Sequence, residues 1–257
     1  MTHYFDPPMY PQMVTLVGLG GTGSQLSRLL ARMMYDMKRS QRQPPILRFI
    51  DPDRIELKNC GRQSFCEAEV GDYKAQVLAR RYNFALGLDI AWITEPVSAE
   101  RHFATSDRHL VIGAVDNYLA RRELAAVPGI WLDCGNHFSS GQIVLGNTSD
   151  GERVRQAFET QHDVIRALPN AALVFPELLQ PEVVPTDMAQ SCADLLATGE
   201  QHLFVNDWGA AIAAQYIYKL LHRQPIESFL TYFSLNTLTV KSDPITYSQI
   251  LSYLSPT

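Results

Sequence analysis

Apolar and polar positions along this chain follow two rhythms, and their alternation predicts its elements. Val14–Val17 is a short buried-strand run. Ser24 to Met37 then carries Leu26, Leu29, Leu30, Met33 and Met34 at helical spacing. A polar loop from Lys38 to Pro45 leads to a second strand, Ile46–Ile50, ending at Asp51. Strand, glycine turn, helix, strand is one βαβ unit, and such units build parallel sheets. The pattern continues with a helix over Tyr73–Phe84, a strand over Ile90–Thr94 and a third buried strand, Leu110–Val115, ending at Asp116. A helix over Ala120–Val127 and strands at Ile130–Asp133 and Gln142–Leu145 follow.

The ends of the chain read less regularly. Residues 1–12 are proline-rich and predict an irregular arm. From Gly151 to about Gly199 the prolines 169, 176, 181 and 185 break the pattern into a long crossover loop with short helical pieces. Asn206 stands where it can cap a helix from Asp207 to about His222. Phe229 to Val240 is strand-like, with a hairpin turn near Asn236.

Composition narrows the class. The chain has 257 residues, 46% hydrophobic and 19% charged, an ordinary globular balance with enough length for a substantial core. A net charge of −5 argues against nucleic acid as the main partner. The first residues lack a signal-peptide pattern, and the most apolar stretch, Trp208–Leu221, is short and holds Gln215 and Lys219. We therefore expect a cytoplasmic protein without a membrane span. The cysteines 60, 66, 134 and 192 form no C-x-x-C pair, so no structural zinc is expected.

The candidate chemistry starts at Gly18-Leu19-Gly20-Gly21-Thr22-Gly23, set between strand and helix. Glycines allow a tight turn and close approach, and the helix N-terminus offers unpaired N–H groups to a phosphate. Asp51 and Asp53 follow the second strand, where a carboxylate accepts bonds from ribose hydroxyls or simply closes a turn. Asn59, Arg62 and Gln63 come next; asparagine orients a phosphate or ribose, and arginine offers a planar fork. Lys74 opens a helix, as a surface charge or as part of a polyphosphate cluster. Asp116 ends a strand, as a Mg²⁺ ligand or a helix cap. Arg121, four residues beyond Asn117, is placed to pair with Asp116.

This order of motifs resembles the ThiF/MoeB family of ubiquitin-activating-enzyme-like adenylyltransferases: the glycine run, Asp51-Pro52-Asp53, the N-x-x-R-Q element Asn59 to Gln63, Lys74, Asp116-Asn117 with Arg121, and Gly141-Gln142-Ile143. The likeness covers roughly residues 14–147 and looks closest to the small bacterial ThiF-like branch. It implies a single adenylation domain over 1–257, with a nucleotide-binding half (14–147), a crossover loop (150–200) and a closing helix and strands (201–257). The implied fold is α/β and Rossmann-like, with a mixed, largely parallel sheet and an antiparallel closing half. The implied activity is adenylation, with ATP and Mg²⁺, of the C-terminal glycine of a ubiquitin-like protein; a small molecule, a peptide or tRNA is the alternative substrate, and a silent scaffold the alternative role. Carried over, Gly18, Gly20, Gly21 and Gly23 lie at the phosphates and Asp51 and Asp53 at the ribose. Asn59, Arg62 and Lys74 hold phosphates and stabilise charge on the α-phosphoryl group, Gln63 joins the nucleotide site, Asp116 holds Mg²⁺, and Asn117 lines the pocket. A dinucleotide-binding oxidoreductase would not need Asn59, Arg62, Lys74 and Asp116 in this order.

Two departures from the family stand out. Paired zinc cysteines are missing, and the first twelve residues hold no arginine to reach a partner subunit. The family also implies a homodimer and, in some members, a thioester on a crossover-loop cysteine that passes the activated chain to a ubiquitin-conjugating-type carrier. Cys192 occupies that region, as the thioester residue or as an ordinary half-buried thiol. Cys134 reads as structural, Cys66 as packed behind Phe65, and the Met33, Met34 and Met37 stripe as core.

Overall fold

The computed structural model describes residues 2–103, 108–161, 163–181 and 203–254. One eight-stranded sheet organises them. From edge to edge it runs β4 (Ala91–Ile93), β3 (Ile46–Ile50), β2 (Met13–Val17), β5 (His109–Gly113), β6 (Ile130–Asn136), β7 (Ser140–Gly146), β9 (Ser228–Ser234) and β10 (Thr239–Pro244). The neighbours from β4 to β6 are parallel. Those from β6 to β10 are antiparallel. The expected mixed, largely parallel sheet with an antiparallel closing half is thus present.

The order of the parallel half decides where a ligand can sit. From β2 the chain moves outward to β3 and β4, then returns to place β5 and β6 on the other side of β2. The strand order reverses between β2 and β5, which opens a crevice at their carboxyl ends. The central strands are mainly apolar because both faces are covered: Leu16, Ile50 and Ile112 have no solvent exposure.

Helix α1 (Gly21–Arg39) buries Leu26, Leu30, Ala31, Met34 and Met37, the stripe that its periodicity predicts. Helix α2 (Lys74–Leu86) packs on α1, β3 and β4, and α4 (Tyr118–Ala126) packs on β5 and the short α3 (Ala99–His102). Within the stretch read as crossover loop, α5 (Gly151–Thr160) is a ten-residue helix, followed by α6 (Ala171–Val174). Asp150 caps α5 by accepting from the Glu152 and Arg153 N–H groups. Helix α7 (Val205–Leu221) lies against α1, β6 and β7, and α8 (Tyr247–Leu251) closes the described chain.

Three expectations change. The N-terminal arm is not wholly irregular: β1 (Tyr4–Phe5) pairs in parallel with β8 (Val164–Ile165). Asn206 is not a cap, because α7 starts at Val205 and Phe204 takes the cap position. Cys66 does not pack; it is exposed at the start of a short 3₁₀ turn, while Phe65 beside it is buried. Cys134 is buried as expected. Cys192 lies outside the described residues.

Candidate functional site

The glycine turn closes directly over the β2–β5 crevice. Gly18 has φ of +84°, and a side chain on it would come within 2.5 Å of the Ala114 carbonyl beyond β5. Only glycine fits there. A side chain on Gly23 would collide with the Gly18 carbonyl, so the first turn of α1 sits on the strand end. Gly20 faces open space among the described residues. No side chain caps α1, and its first turn holds no acidic residue. The leading N–H groups of the helix are therefore left to an anion, with no carboxylate competing for them. Gly21 differs: the place of its missing side chain is filled by Asn206.

Asp51 is tied to this turn. Its buried carboxylate accepts the Leu19 N–H through one oxygen and the Asp53 N–H, at 2.8 Å, through the other. Burial pushes its pKa above the ordinary carboxylate value, against the two N–H bonds and the nearby Lys74 charge, which pull it down. Asp53 is largely exposed and holds Lys74, whose Nζ lies 2.9 Å from Asp53 Oδ2. The Lys74 side chain is itself buried, so it is no freely solvated surface charge.

The segment Asn59–Phe65 folds back onto α1. Asn59 is buried, and its side chain accepts the Glu56 N–H at 2.8 Å, closing a 3₁₀ turn. The Ser64 N–H donates to Ser24 Oγ at 3.2 Å, and Ser24 Oγ donates to the Gly21 carbonyl at 3.1 Å. Arg62 and Gln63 are thereby carried to the first turn of α1. Arg62 Nε and Gln63 Oε1 are buried without a hydrogen-bond partner. Buried polar atoms need a partner, so these two neighbouring side chains leave donor and acceptor capacity beside the first turn of α1.

On the far side of the crevice, Asp116 is exposed beyond the end of β5 and makes no hydrogen bond or ion pair among the described residues. Asn117, not Asp116, caps α4, accepting the Ala120 N–H at 2.8 Å. Arg121 does not pair with Asp116 either. Its Nε lies 3.4 Å from Oδ1 of Asp133 on β6, a carboxylate with no solvent exposure. The strand register explains the choice: Asp133 sits opposite Gly113, which leaves room for it under α4. Burial raises the Asp133 pKa, and Arg121 opposes the rise.

Among the described residues no three His, Cys, Asp or Glu side chains gather as a metal-holding group. A Mg²⁺ bound between phosphate oxygens needs only one or two carboxylates, so Asp116 fits that donor set. The residues that sequence reasoning missed are Ser24, Ser64, Asn136 and Asn206. No short-range signal exposes them, because their partners are 40 to 184 positions away.

Residues 11–246 match the ThiF family. The chain belongs to the ThiF family. Among solved structures, the fold is similar to that of E. coli MccB, with a TM-score of 0.57 and 16% identity over 91% of this chain and 62% of that one. E. coli MccB with ATP gives 0.56 and 16%, covering 91% and 64%. The microcin C7 biosynthetic enzyme MccB in complex with N-formylated MccA gives 0.56 and 15%, covering 91% and 64%. At this identity the likeness is one of fold, and this ThiF-family chain spans under two thirds of MccB's length. No curated protein matches the sequence. Among the described residues no helix is long and apolar enough to cross a membrane.

Proposed function

We propose that this chain activates the C-terminal carboxylate of a polypeptide by adenylation with ATP. The observation that carries the reading is the convergence of the uncapped α1 terminus, Asp51, Arg62, Gln63 and the Asp53–Lys74 pair on one strand-end crevice. Family membership supports ATP as the nucleotide, and MccB of the same fold has been solved with ATP.

Each group has a place in the chemistry. The α1 N–H groups and the open face of Gly20 receive phosphate oxygens, and Asp51 accepts ribose hydroxyls. Arg62 and Lys74 stand where negative charge builds on the α-phosphoryl group. An acceptor carboxylate oxygen attacks the α-phosphorus, the bond to the β-phosphate oxygen breaks, and pyrophosphate leaves with the electron pair. The product is an acyl-adenylate, and no proton transfer is needed. Asp116 would hold Mg²⁺, which neutralises charge on the phosphates and the leaving pyrophosphate.

The acceptor divides the reading in two. Family resemblance favours a ubiquitin-like protein ending in glycine, followed by a thioester on Cys192 and transfer to a carrier, in a homodimer. The MccB complex with N-formylated MccA favours a shorter acceptor. Labelled pyrophosphate exchange into ATP, measured with a ubiquitin-like protein ending in Gly-Gly and with N-formylated MccA as separate acceptors, distinguishes them. Adenylation yields an acyl-adenylate and pyrophosphate; ADP as the product, or no acceptor-dependent exchange, would contradict it.

A further inference from the structure

Three polar side chains from distant parts of the chain meet at the first turn of α1. Thr22 on α1 donates through its hydroxyl to Asn206 Oδ1 at 3.0 Å. The Asn136 amide, at the end of β6, donates to the same Asn206 oxygen at 2.8 Å and to Thr22 Oγ1 at 2.9 Å. Asn206 is 1% exposed. It lies flat over Gly21: a side chain on Gly21 would come within 2.5 Å of the Asn206 amide group. Gly21 lies at the start of α1 and has no positive φ, so its backbone does not bar a side chain. One turn further along α7, Gly209 approaches the Thr22 methyl, which keeps the two helices close.

We propose that Asn206 is a positioning residue for the nucleotide, and that position 21 is glycine to admit Asn206 rather than the phosphates. The amide of Asn206 fixes the first turn of α1 against β6, so the N–H groups of that turn keep one direction. This rests on the ATP reading above, but the packing claim is measurable without nucleotide. It assigns different causes to two neighbouring glycines. Gly20 meets only open space among the described residues and is free for a ligand, whereas Gly21 is occupied from behind by the protein itself.

The test is a double-mutant cycle on the full chain, with Gly21→Ala, Asn206→Ala and the pair. Thermal unfolding is read without ligand and ATP affinity by calorimetry. Gly21→Ala is expected to lower the melting temperature by about 3–8 °C and to weaken ATP binding about tenfold. In the Asn206→Ala background the same substitution should leave the melting temperature within about 1 °C and ATP affinity within about twofold. An undiminished Gly21→Ala penalty in that background would overturn the proposal: in melting temperature it would show that Asn206 is not what Gly21 makes room for, and in ATP affinity it would place the nucleotide against Gly21. Thr22→Val, which loses the hydroxyl, should weaken ATP binding about threefold or more, and Thr22→Ser should restore it. Loss of melting temperature with unchanged ATP affinity in Asn206→Ala or Thr22→Val would reduce the trio to packing and overturn its positioning role. Wild-type protein that binds no ATP would refute the adenylation reading, while the melting-temperature cycle still decides the Gly21–Asn206 relationship.

Discussion

Lys74 and Asp53 are joined twice: the Lys74 Nζ lies 2.9 Å from Asp53 Oδ2, and the Lys74 N–H donates to the Asp53 carbonyl at 3.0 Å. The double link pins the start of α2 to the loop that carries Asp51. It keeps the Lys74 side chain buried, with its ammonium on the Asp53 carboxylate. If Lys74 stabilises charge on the α-phosphoryl group, Lys74→Ala should lower the pyrophosphate-exchange rate about 10²-fold. Asp53→Asn, which loosens the same ammonium without removing it, should cost about tenfold. Equal losses in the two variants would mean that Asp53 acts directly on substrate.

Arg62 and Asp116 make no hydrogen bond or ion pair among the described residues, so removing either side chain breaks no polar link within them. Arg62→Ala should reduce exchange about 10²-fold with a melting temperature within about 1 °C of wild type. Arg62→Lys should recover little, because an ammonium cannot supply the guanidinium fork. Asp116→Ala should abolish Mg²⁺-dependent exchange at unchanged stability. A large fall in melting temperature in either variant would assign these side chains to the fold instead.

Asp51 links the site to pH. Its folded pKa is raised, chiefly by burial. In the proposed role as ribose acceptor, the carboxylate is ionised above that raised value and is lost as pH falls through it. Adenosine, which has no titrating phosphate, should bind at neutral pH and progressively less well as pH falls through that raised pKa, checked by calorimetry. Asp51→Asn should flatten the profile. The stability contribution has the opposite sense: a raised folded pKa gives stability that is complete below the unfolded carboxylate value and lost as pH rises through the folded one. An Asp51→Asn variant whose acid profile of adenosine binding matches that of the wild type would exclude Asp51 as the acceptor.

The thiols should differ in reactivity. Burial, reinforced by the neighbouring Asp133 charge, pushes the Cys134 thiol well above its ordinary range, whereas Cys66 is exposed. Native protein treated with iodoacetamide at pH 8 should be alkylated at Cys66 and spared at Cys134, as mapped by mass spectrometry. If Cys192 carries a thioester, Cys192→Ala should spare pyrophosphate exchange and remove any thiol-sensitive conjugate. Alkylation of native Cys134 would contradict its burial; a conjugate that persists in the variant would contradict the Cys192 role.

What the sequence made legible was local. The strands, α1 with its Leu26–Leu30–Met34 stripe, and the strand-end positions of Asp51 and Asp116 follow from periodicities of two and 3.6 residues. The fold class followed from the βαβ unit and from the order of the motifs. What stayed hidden depends on contacts between distant segments. Arg121 sits four positions from Asn117, yet it turns to Asp133 because β6 pairs beside β5 with a glycine opposite. Asn206 carries the signature of a helix cap, but α7 begins two residues earlier than that signature implies and turns the side chain onto Gly21 and Thr22. The two-residue pairing of β1 with β8 is too short to leave a pattern in either segment.

The central claim is that an acceptor carboxylate attacks the α-phosphorus of ATP. The direct measurement is isotope transfer: a polypeptide acceptor bearing ¹⁸O in its C-terminal carboxylate is incubated with the protein, ATP and Mg²⁺, the acyl-adenylate is cleaved at its carbonyl carbon by water or added hydroxylamine, and the AMP set free is analysed by mass spectrometry. Adenylation predicts AMP carrying one ¹⁸O, and no transfer when the acceptor's terminus is amidated. Unlabelled AMP alongside an activated or consumed acceptor would contradict attack by the carboxylate and, with it, the assignment of this crevice as an adenylation site.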